Sequence, residues 1–297
     1  MSDEVWTVMR ALKWTVDLFT QKGILSPRLD AELLLRQATG LERIQLYTQH
    51  DKPLSAEERD QLRTLVKRRM TGEPVQHILG RQEFWSIPLK VSNAVLVPRA
   101  DTEVLVEEVV KIAKTITVSG SLRIVDVGVG SGAIALALAK EFPDALVVGI
   151  DISPAALEIA RTNVETHALR DRVRLIRGNV LTPLLHGGSR ADMVVSNPPY
   201  IRTAELDTLM PEVRLFEPMT ALDGGPDGLT IYRELVPQAA QILVPGGLFA
   251  VEIGDTEQCI DVMNLLHADS HYDEIEVRKD YAGRDRVVVA RRIADGP

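Results

Sequence analysis

The sequence has little of several features that would assign it to a special class of protein. Cys259 is the only cysteine among 297 residues, so an intramolecular disulfide cannot form and a reducing, cytoplasmic location is expected. No apolar run approaches the roughly 20 residues that a membrane helix needs, and the first ten residues do not resemble a signal peptide. Positive charge is not in excess, because the formal net charge is −8. We therefore expect no membrane association and no direct nucleic-acid partner.

The composition is that of an ordinary globular protein, with 45% hydrophobic and 26% charged residues. The length favours two domains, and the charge is distributed unevenly between two parts of the chain. Residues 1–85 carry 13 basic and 12 acidic residues, a net charge of +1, so the remainder carries −9. The two parts therefore differ in character.

The first part is predicted to be helical. One apolar stripe recurs at spacings of three and four residues: Val5, Met9, Leu12, Val16 and Phe19. Ser26 with Pro27 is typical of a helix start, and Ser55 with Glu58 is a capping-box pattern. We predict a helical bundle over residues 1–73 that helps to recognise a protein substrate. A β-hairpin linker is predicted over residues 74–97, where turn signals separate β-branched and aromatic residues.

From residue 121 onward, apolar strands alternate with amphipathic helices, and two strands end the chain. This alternation predicts an α/β fold, a Rossmann-like seven-stranded sheet with helices on both faces, and an antiparallel pair at one edge. We assign residues 98–297 to this domain. In such sheets ligands bind at the carboxyl ends of the strands, so the residues that follow each strand are the candidates for a site.

A glycine-rich loop, Asp126–Gly132, follows the first strand. Glycines 128, 130 and 132 allow a tight turn and close approach of a ligand. Dinucleotide sites, nucleotide sites and plain turns share this pattern, although the spacing departs from G-x-G-x-x-G. Asp151 follows the second strand, where a carboxylate can accept hydrogen bonds from a ribose diol or serve only in the next helix cap.

The third and fourth strands end in segments with distinct chemistry. Asn179 can bond an adenine edge and Val180 can pack on its face. Asn197-Pro198-Pro199-Tyr200 follows the fourth strand, and this segment is rigid and poor in donors. The Asn197 side-chain oxygen and the Pro198 carbonyl are hydrogen-bond acceptors, and Tyr200 offers a flat ring.

Together these positions resemble the class I S-adenosylmethionine-dependent methyltransferases, and the Asn-Pro-Pro-Tyr segment resembles the motif of those that methylate an amino nitrogen on a planar carbon. The resemblance implies a poor nucleophile, because the lone pair of such a nitrogen is delocalised. Asn197 Oδ1 and the Pro198 carbonyl could accept its two N–H bonds, and the Tyr200 ring could pack on the planar group. Four further segments resemble the HemK/PrmC family, the glutamine-N5 methyltransferases of peptide chain release factors: VLVPRADTEVLVE (95–107), EPMTALDGGPDGLTIYRELV (217–236), VEIGDTEQ (251–258) and KDYAGRDRVVVARR (279–292). The helical N-terminal part and the hairpin with Phe84 add to this likeness. The family more often has proline at the position of Ala100 and Leu-Gly-Thr at residues 127–129.

The resemblance implies S-adenosylmethionine as cofactor, with S-adenosylhomocysteine as product, and the Gly-Gly-Gln glutamine of bacterial class 1 release factors as substrate. The residues implied to bind the cofactor are Asp126, Gly128, Val129, Gly130, Ser131, Gly132, Asp151, Asn179, Val180 and Asn197. The residues implied to bind the glutamine are Arg99, Asn197, Pro198, Pro199 and Tyr200, of which Asn197, Pro198 and Tyr200 are the catalytic candidates. Thr102 and Glu103 are expected near the same site, and the role of Glu252 is left open.

Three alternatives remain open from the sequence. One is methylation of a ribosomal-protein glutamine, another is methylation of adenine N6 in nucleic acid, and the third is a non-catalytic protein of the S-adenosylmethionine-binding fold that only binds a translation partner. His267 and His271 have the spacing of helical metal ligands, but a third ligand is not evident, so we predict no metal site. Cys259 is expected to be a packed core residue.

Overall fold

A computed structural model of the chain describes residues 5–114 and 120–294. Two compact units are distinguished. The first comprises Met1–Gly80 with Met210–Phe216, and the second comprises Arg81–Leu209 with Glu217–Pro297. Residues Met210–Phe216 thus interrupt the second unit in the sequence but belong to the first unit. No helix within the described ranges has the length and apolar character needed to span a bilayer.

The helices are α1 (Val8–Lys22), α2 (Pro27–Thr39), α3 (Arg43–Thr48), α4 (Ala56–Met70), α5 (Val75–Leu79), α6 (Glu103–Ala113), α7 (Ala133–Glu141), α8 (Pro154–Thr166), α9 (Thr182–Leu185), α10 (Pro211–Phe216), α11 (Thr230–Ile242) and α12 (Thr256–Ala268). The strands are β1 (Arg81–Phe84), β2 (Ile87–Lys90), β3 (Arg123–Val127), β4 (Leu146–Asp151), β5 (Val173–Arg177), β6 (Ala191–Ser196), β7 (Leu243–Glu252), β8 (Tyr272–Lys279) and β9 (Asp285–Arg292). Short 3-10 turns occupy Ala100–Thr102, Thr203–Thr208 and Met219–Ala221.

The first unit is a helical bundle of α1 to α5 and α10, whose core includes Phe19, Leu34 and Leu46. The predicted stripe of α1 is partly wrong, since Val5 precedes the helix and is 61% exposed. Thr7 is the N-cap, and its side chain accepts a hydrogen bond from the Arg10 amide. The predicted capping box of α4 is present.

The predicted hairpin is present as β1 and β2 but is shorter than residues 74–97. Residues Val75–Leu79 form helix α5 instead, and this helix belongs to the first unit. Pro74 is its N-cap, and Gly80 ends it in the left-handed region at φ 69°. Proline before a short apolar run and glycine after it are helix boundary signals, so the sequence did contain a cue for this helix.

The second unit contains the predicted seven-stranded sheet, in the order β5-β4-β3-β6-β7-β9-β8. Strands β3 to β7 are parallel, whereas β9 runs antiparallel to both β7 and β8. The strand order reverses between β3 and β6, because the chain builds outward from β3 to β5 and then returns. The parallel strands therefore end together beside this switch point, where ligands bind in open α/β sheets.

Candidate functional site

A cleft of about 1050 Å³, measured out to its open mouth, lies at the carboxyl ends of the parallel strands. Its walls come from the loops after β3, β4, β5 and β6, from residues 94–98 with Thr102, and from residues 218–221 with Ile231. All these residues belong to the second unit. The cleft thus lies where the sequence predicts a site. Two of its walls, residues 94–98 and 218–221, come from segments that do not directly follow a strand of the sheet.

The glycine loop after β3 has the backbone shape that only glycine adopts readily. Gly128 and Gly130 have φ of 76° and 54°, in the left-handed region. The Gly128 and Val129 amides donate to the carbonyl of Ile150, at 2.8 and 2.9 Å, so the loop is pinned to the neighbouring strand. Residues 128–131 line the cleft. The loop backbone is therefore open to the cleft.

Asp151 ends β4 and faces the same cleft. Its Oδ2 accepts from the Gly130 amide and its Oδ1 from the Ser153 amide, each at 2.9 Å. Burial raises the pKa of this carboxyl, and the backbone hydrogen bonds oppose that rise. A carboxylate has about four lone-pair positions, so both oxygens keep capacity for a diol. The residue also orders the start of α8, so the two roles considered from sequence are compatible.

Asn179 and Val180 follow β5 and line the cleft. The Asn179 Nδ2 donates to Glu234 at 3.0 Å. Val180 has a φ of 47°, a conformation that is unusual for a β-branched residue. Strain of this kind, of order 1–3 kcal/mol, persists at ligand sites where the surroundings enforce it. The Val180 side chain adds an apolar surface suited to a flat ring.

Asn197, Pro198 and Pro199 follow β6 and line the cleft beside the glycine loop. The Asn197 Nδ2 donates to the Thr102 hydroxyl at 3.0 Å. Among the described residues, no hydrogen-bond donor is paired with the Asn197 side-chain oxygen or the Pro198 carbonyl. Two acceptors with free lone pairs therefore lie at this end of the cleft.

Two residues predicted to bind the cofactor lie outside the cleft wall. Asp126 is 0% exposed and its Oδ2 accepts from the Ala135 amide at 2.9 Å, so it supports the start of α7. Burial raises its pKa to about 7. Gly132 is the N-cap of α7, where an added Cβ would lie 2.7 Å from Leu136 Cδ1. The Asp126 hydrogen bond to the α7 amide and the close packing of Gly132 on Leu136 indicate that both residues support the loop.

Two residues predicted to contact the substrate also lie outside the cleft wall. The Tyr200 ring packs at Gly254, where an added Cβ would lie 3.0 Å from its Cδ2, and its hydroxyl donates to Glu252 at 3.4 Å. Arg99 donates to both carboxylate oxygens of Glu217, at 2.7 and 2.8 Å. Glu217 is a buried residue, so Arg99 neutralises a carboxylate within the protein.

Thr102 lines the cleft, as expected, but Glu103 does not. The Glu103 carboxylate accepts from the Trp85 amide at 2.7 Å and so supports the turn of the hairpin. Sequence reasoning did not identify the walls at 94–98 and 218–221. Their only signal was the likeness of the surrounding segments to a family, because nothing in their own composition is typical of a site.

The cleft carries little charge. Of the described residues that line it, Asp151 is the only one with a charged side chain. Such a lining suits a positively charged ligand together with an uncharged second ligand, because it offers one carboxylate and no competing cation. No group of three or more metal-ligating side chains occurs in the described part of the chain.

This fold and this arrangement of loops define a Rossmann-like methyltransferase. The profile described as "Methyltransferase small domain" matches residues 101–217. A solved methyltransferase from Pyrococcus furiosus aligns with a TM-score of 0.50 and 19% identity, over 80% of this chain and 99% of that one. That identity establishes a shared fold alone.

More specific matches cover almost the whole chain. The profile described as "PrmC N-terminal domain" matches residues 10–80. The release factor glutamine methyltransferase of Geobacter sulfurreducens is 46% identical over 97% of this chain and 98% of its own length. That of Rhodopirellula baltica is 43% identical over 97% of each chain. The chain belongs to the release factor glutamine methyltransferase family.

Proposed function

We propose that this enzyme transfers a methyl group from S-adenosylmethionine to the side-chain amide nitrogen, N5, of the glutamine in the Gly-Gly-Gln motif of bacterial class 1 release factors. The activity named for its relatives supports the substrate. The observation that carries the chemistry is the juxtaposition, in one cleft, of a single carboxylate, a glycine loop and two free acceptors. A cytoplasmic location is proposed with it, since translation supplies the substrate there.

The residues present fit the proposed cofactor. Gly128 to Ser131 would border its methionine part, and the spare acceptor capacity of Asp151 suits its ribose hydroxyls. Val180 would cover its adenine, with Asn179 beside it. When bound, S-adenosylmethionine supplies a methyl group on a positively charged sulfur, and a cleft without a cationic side chain does not oppose that charge.

The acceptors of the Asn-Pro-Pro segment would hold the glutamine amide. Asn197 Oδ1 and the Pro198 carbonyl would each accept one N–H of the amide and so orient its nitrogen. Accepting both hydrogens raises the electron density on that nitrogen, and it favours the positive charge that develops there during transfer. The prolines hold this backbone in advance of binding. The amide nitrogen would carry a positive charge once it has gained the methyl group, and this cationic amide is a strong acid. It would lose one of its two N–H protons to solvent and leave the neutral N-methyl amide, so a strong base is unnecessary.

The test is methyl transfer to purified release factor, followed by mass spectrometry of the Gly-Gly-Gln peptide. One added methyl group on the glutamine is expected. Asn197→Ala should lower kcat by roughly 10²–10³-fold, because it removes an acceptor aligned with the transition state. Asn264→Ala removes an exposed amide on α12 and should retain wild-type kcat. Methylation of a ribosomal protein or of DNA, with release factor unmodified, would overturn the substrate proposed here.

A further inference from the structure

Gln258 is a buried glutamine with hydrogen bonds at both ends of its side-chain amide, and the chemistry above does not use it. It lies on α12 and is 4% exposed. Its Nε2 donates to the carbonyls of Tyr200 and Gly228, each at 3.0 Å, and its Oε1 accepts from the Gly254 amide at 2.8 Å. A carbonyl can only accept and a backbone amide can only donate, so these partners fix the orientation of the side chain. Three segments of the second unit thus meet at one glutamine.

The hydrogen bond from Gly254 has a local explanation. Asp255 is the N-cap of α12, and Gln258 stands at the third position of this helix. A glutamine or glutamate at that position commonly accepts a hydrogen bond from the backbone at the helix start. The two donated hydrogen bonds lack such an explanation, because Tyr200 and Gly228 lie 58 and 30 residues away in the chain. Glutamate would serve the helix start equally well, but its carboxylate could donate to neither carbonyl.

The backbone of Tyr200 is closely packed where Gln258 binds it. An added Cβ at Gly228 would lie 2.5 Å from the Tyr200 carbonyl oxygen, and one at Gly224 would lie 2.8 Å from its Cα. Both separations are below the roughly 3.5–4.0 Å at which nonbonded heavy atoms make favourable contact, so only glycine fits there. The Tyr200 carbonyl is therefore held by packing and by the hydrogen bond from Gln258 Nε2, which we call the Tyr200 anchor.

The Tyr200 anchor lies close in the chain to an acceptor of the proposed reaction. The Pro198 carbonyl, which would accept one N–H of the substrate amide, precedes the Tyr200 carbonyl by two residues. Peptide bonds are planar and the ring of Pro199 fixes its φ. Few soft dihedral angles therefore separate the two carbonyls, and a restraint on the second also restrains the first.

We propose that Gln258 is a positioning residue: through the Tyr200 anchor it holds the Pro198 carbonyl where it can accept an N–H of the substrate amide. The inference rests on the proposed function for its catalytic meaning. Without the anchor, the Asn-Pro-Pro-Tyr segment would be free to shift against the cleft. A misplacement of about 1 Å in a reacting geometry can lower a rate by about 100-fold.

The first test is Gln258→Glu, which separates the anchor from the helix start. The variant keeps an acceptor for the Gly254 amide, but even when protonated it could donate to only one of the two carbonyls. Its kcat for methylation of release factor should fall roughly 10–100-fold, with little change in KM. The affinity for S-adenosylmethionine should also stay near that of the wild type, because other loops supply the wall at the glycine loop and Asp151.

Gln258→Leu removes all three hydrogen bonds and should lose at least as much kcat as Gln258→Glu. If Gln258→Leu does not fold, Gln258→Glu alone decides the question, since it retains the helix start. Wild-type kcat in Gln258→Glu would show that the residue serves only the helix start, and it would overturn the inference.

Two control variants distinguish positioning from a loss of stability. Gln241 is exposed on α11, and its side chain donates to Pro237 of the same helix, so Gln241→Glu should retain wild-type kcat. Val262 is fully buried on α12. Val262→Ala should destabilise the protein and yet retain wild-type kcat at a temperature where all variants are folded. A loss in Val262→Ala equal to that in Gln258→Glu would refute the positioning role.

The second readout needs neither substrate nor turnover. Tyr200-Ile201 is the only Tyr-Ile pair in the sequence, so labelling tyrosine carbonyls with carbon-13 and isoleucine with nitrogen-15 gives one correlated carbonyl signal, that of Tyr200. A hydrogen bond deshields a carbonyl carbon. The signal should therefore move upfield in Gln258→Glu and Gln258→Leu, and stay in place in Gln241→Glu and Val262→Ala.

The two readouts together distinguish the ways in which the inference could fail. An unmoved Tyr200 signal in the Gln258 variants would refute the anchor. A moved signal with wild-type kcat would refute its effect on the reaction. If the wild-type enzyme leaves release factor unmethylated, the proposed function fails, and the Tyr200 signal still decides whether Gln258 holds this segment.

Discussion

Gly132→Ala tests whether this glycine serves packing, as its place in the structure indicates, or only the binding of a ligand. Gly132 has a φ of 86°, and an added Cβ would lie 2.7 Å from Leu136 Cδ1 and 3.7 Å from Ala160. Leu136 is fully buried, so it cannot move away freely. The substitution thus combines an unfavourable backbone conformation with a steric clash against Leu136 of α7, whereas Ala160 of α8 would be at ordinary contact distance.

The two costs can be separated with a second glycine of the same unit. Gly283 has a φ of 80° and no atom within 4 Å of an added Cβ. Gly283→Ala should therefore lower the free energy of unfolding only by the cost of placing a residue with a Cβ in the left-handed backbone conformation, about 1–2 kcal/mol. Gly132→Ala should lose about 1–3 kcal/mol more, because overpacking of a dense core adds to it. Chemical denaturation of the two variants and the wild type measures this difference.

A third variant identifies the clashing atom. Leu136→Ala removes Cδ1, so in that background Gly132→Ala should cost no more than Gly283→Ala does. Equal losses for Gly132→Ala and Gly283→Ala in the wild-type background would refute the packing argument. So would an undiminished loss for Gly132→Ala after Leu136 has been shortened.

Three further predictions concern charged residues of the second unit. Asp151→Asn should weaken cofactor binding by roughly 10–100-fold, because an amide NH2 would face a backbone N–H donor and one charge-assisted hydrogen bond is lost; calorimetric titration measures this. Arg99→Leu should lower the free energy of unfolding by about 1–3 kcal/mol, because the buried Glu217 carboxylate loses the two hydrogen bonds from the Arg99 guanidinium, and should leave KM for release factor nearly unchanged. Asp126→Asn should gain stability relative to the wild type as pH rises from about 4 to about 8, because the folded protein binds the Asp126 proton more tightly than the unfolded chain does.

Each of these predictions has an outcome that would contradict it. Unaltered cofactor affinity in Asp151→Asn would show that the carboxylate serves only the helix start. A large rise in KM for Arg99→Leu without loss of stability would restore the substrate contact predicted from sequence. A pH-independent stability difference between Asp126→Asn and the wild type would mean that the buried carboxyl does not titrate in this range.

The fold was largely predictable, because its signals are local. Alternating apolar strands and amphipathic helices in the second unit predicted the sheet and its antiparallel edge, and both are present. The exception, helix α5, is five residues long, too short for periodicity to distinguish it from a strand. The grouping of residues 210–216 with the first unit had no local signal at all, since it depends on contacts distant in sequence.

The candidate site was predictable in its location and in its main chemistry. Positions that follow strands converge at one edge of a parallel sheet, so Gly128, Asp151, Val180 and Asn197 were identified from their order along the chain. All four line the cleft. Their residue types were compatible with a ribose and a flat ring as ligands, whereas the amide was implied only by the resemblance to a family.

What the sequence alone could not determine is which side chains are engaged inside the protein. Arg99 carries a charge suited to a substrate, but it pairs with Glu217, 118 residues away in the chain. Glu252 appeared to be one strand-end carboxylate among several, but it is buried and accepts a hydrogen bond from the Tyr200 hydroxyl, 52 residues away in the chain. Residue type and spacing determine which interactions are possible. Only the tertiary structure decides which partners are within hydrogen-bond distance, because that distance depends on packing between segments far apart in sequence.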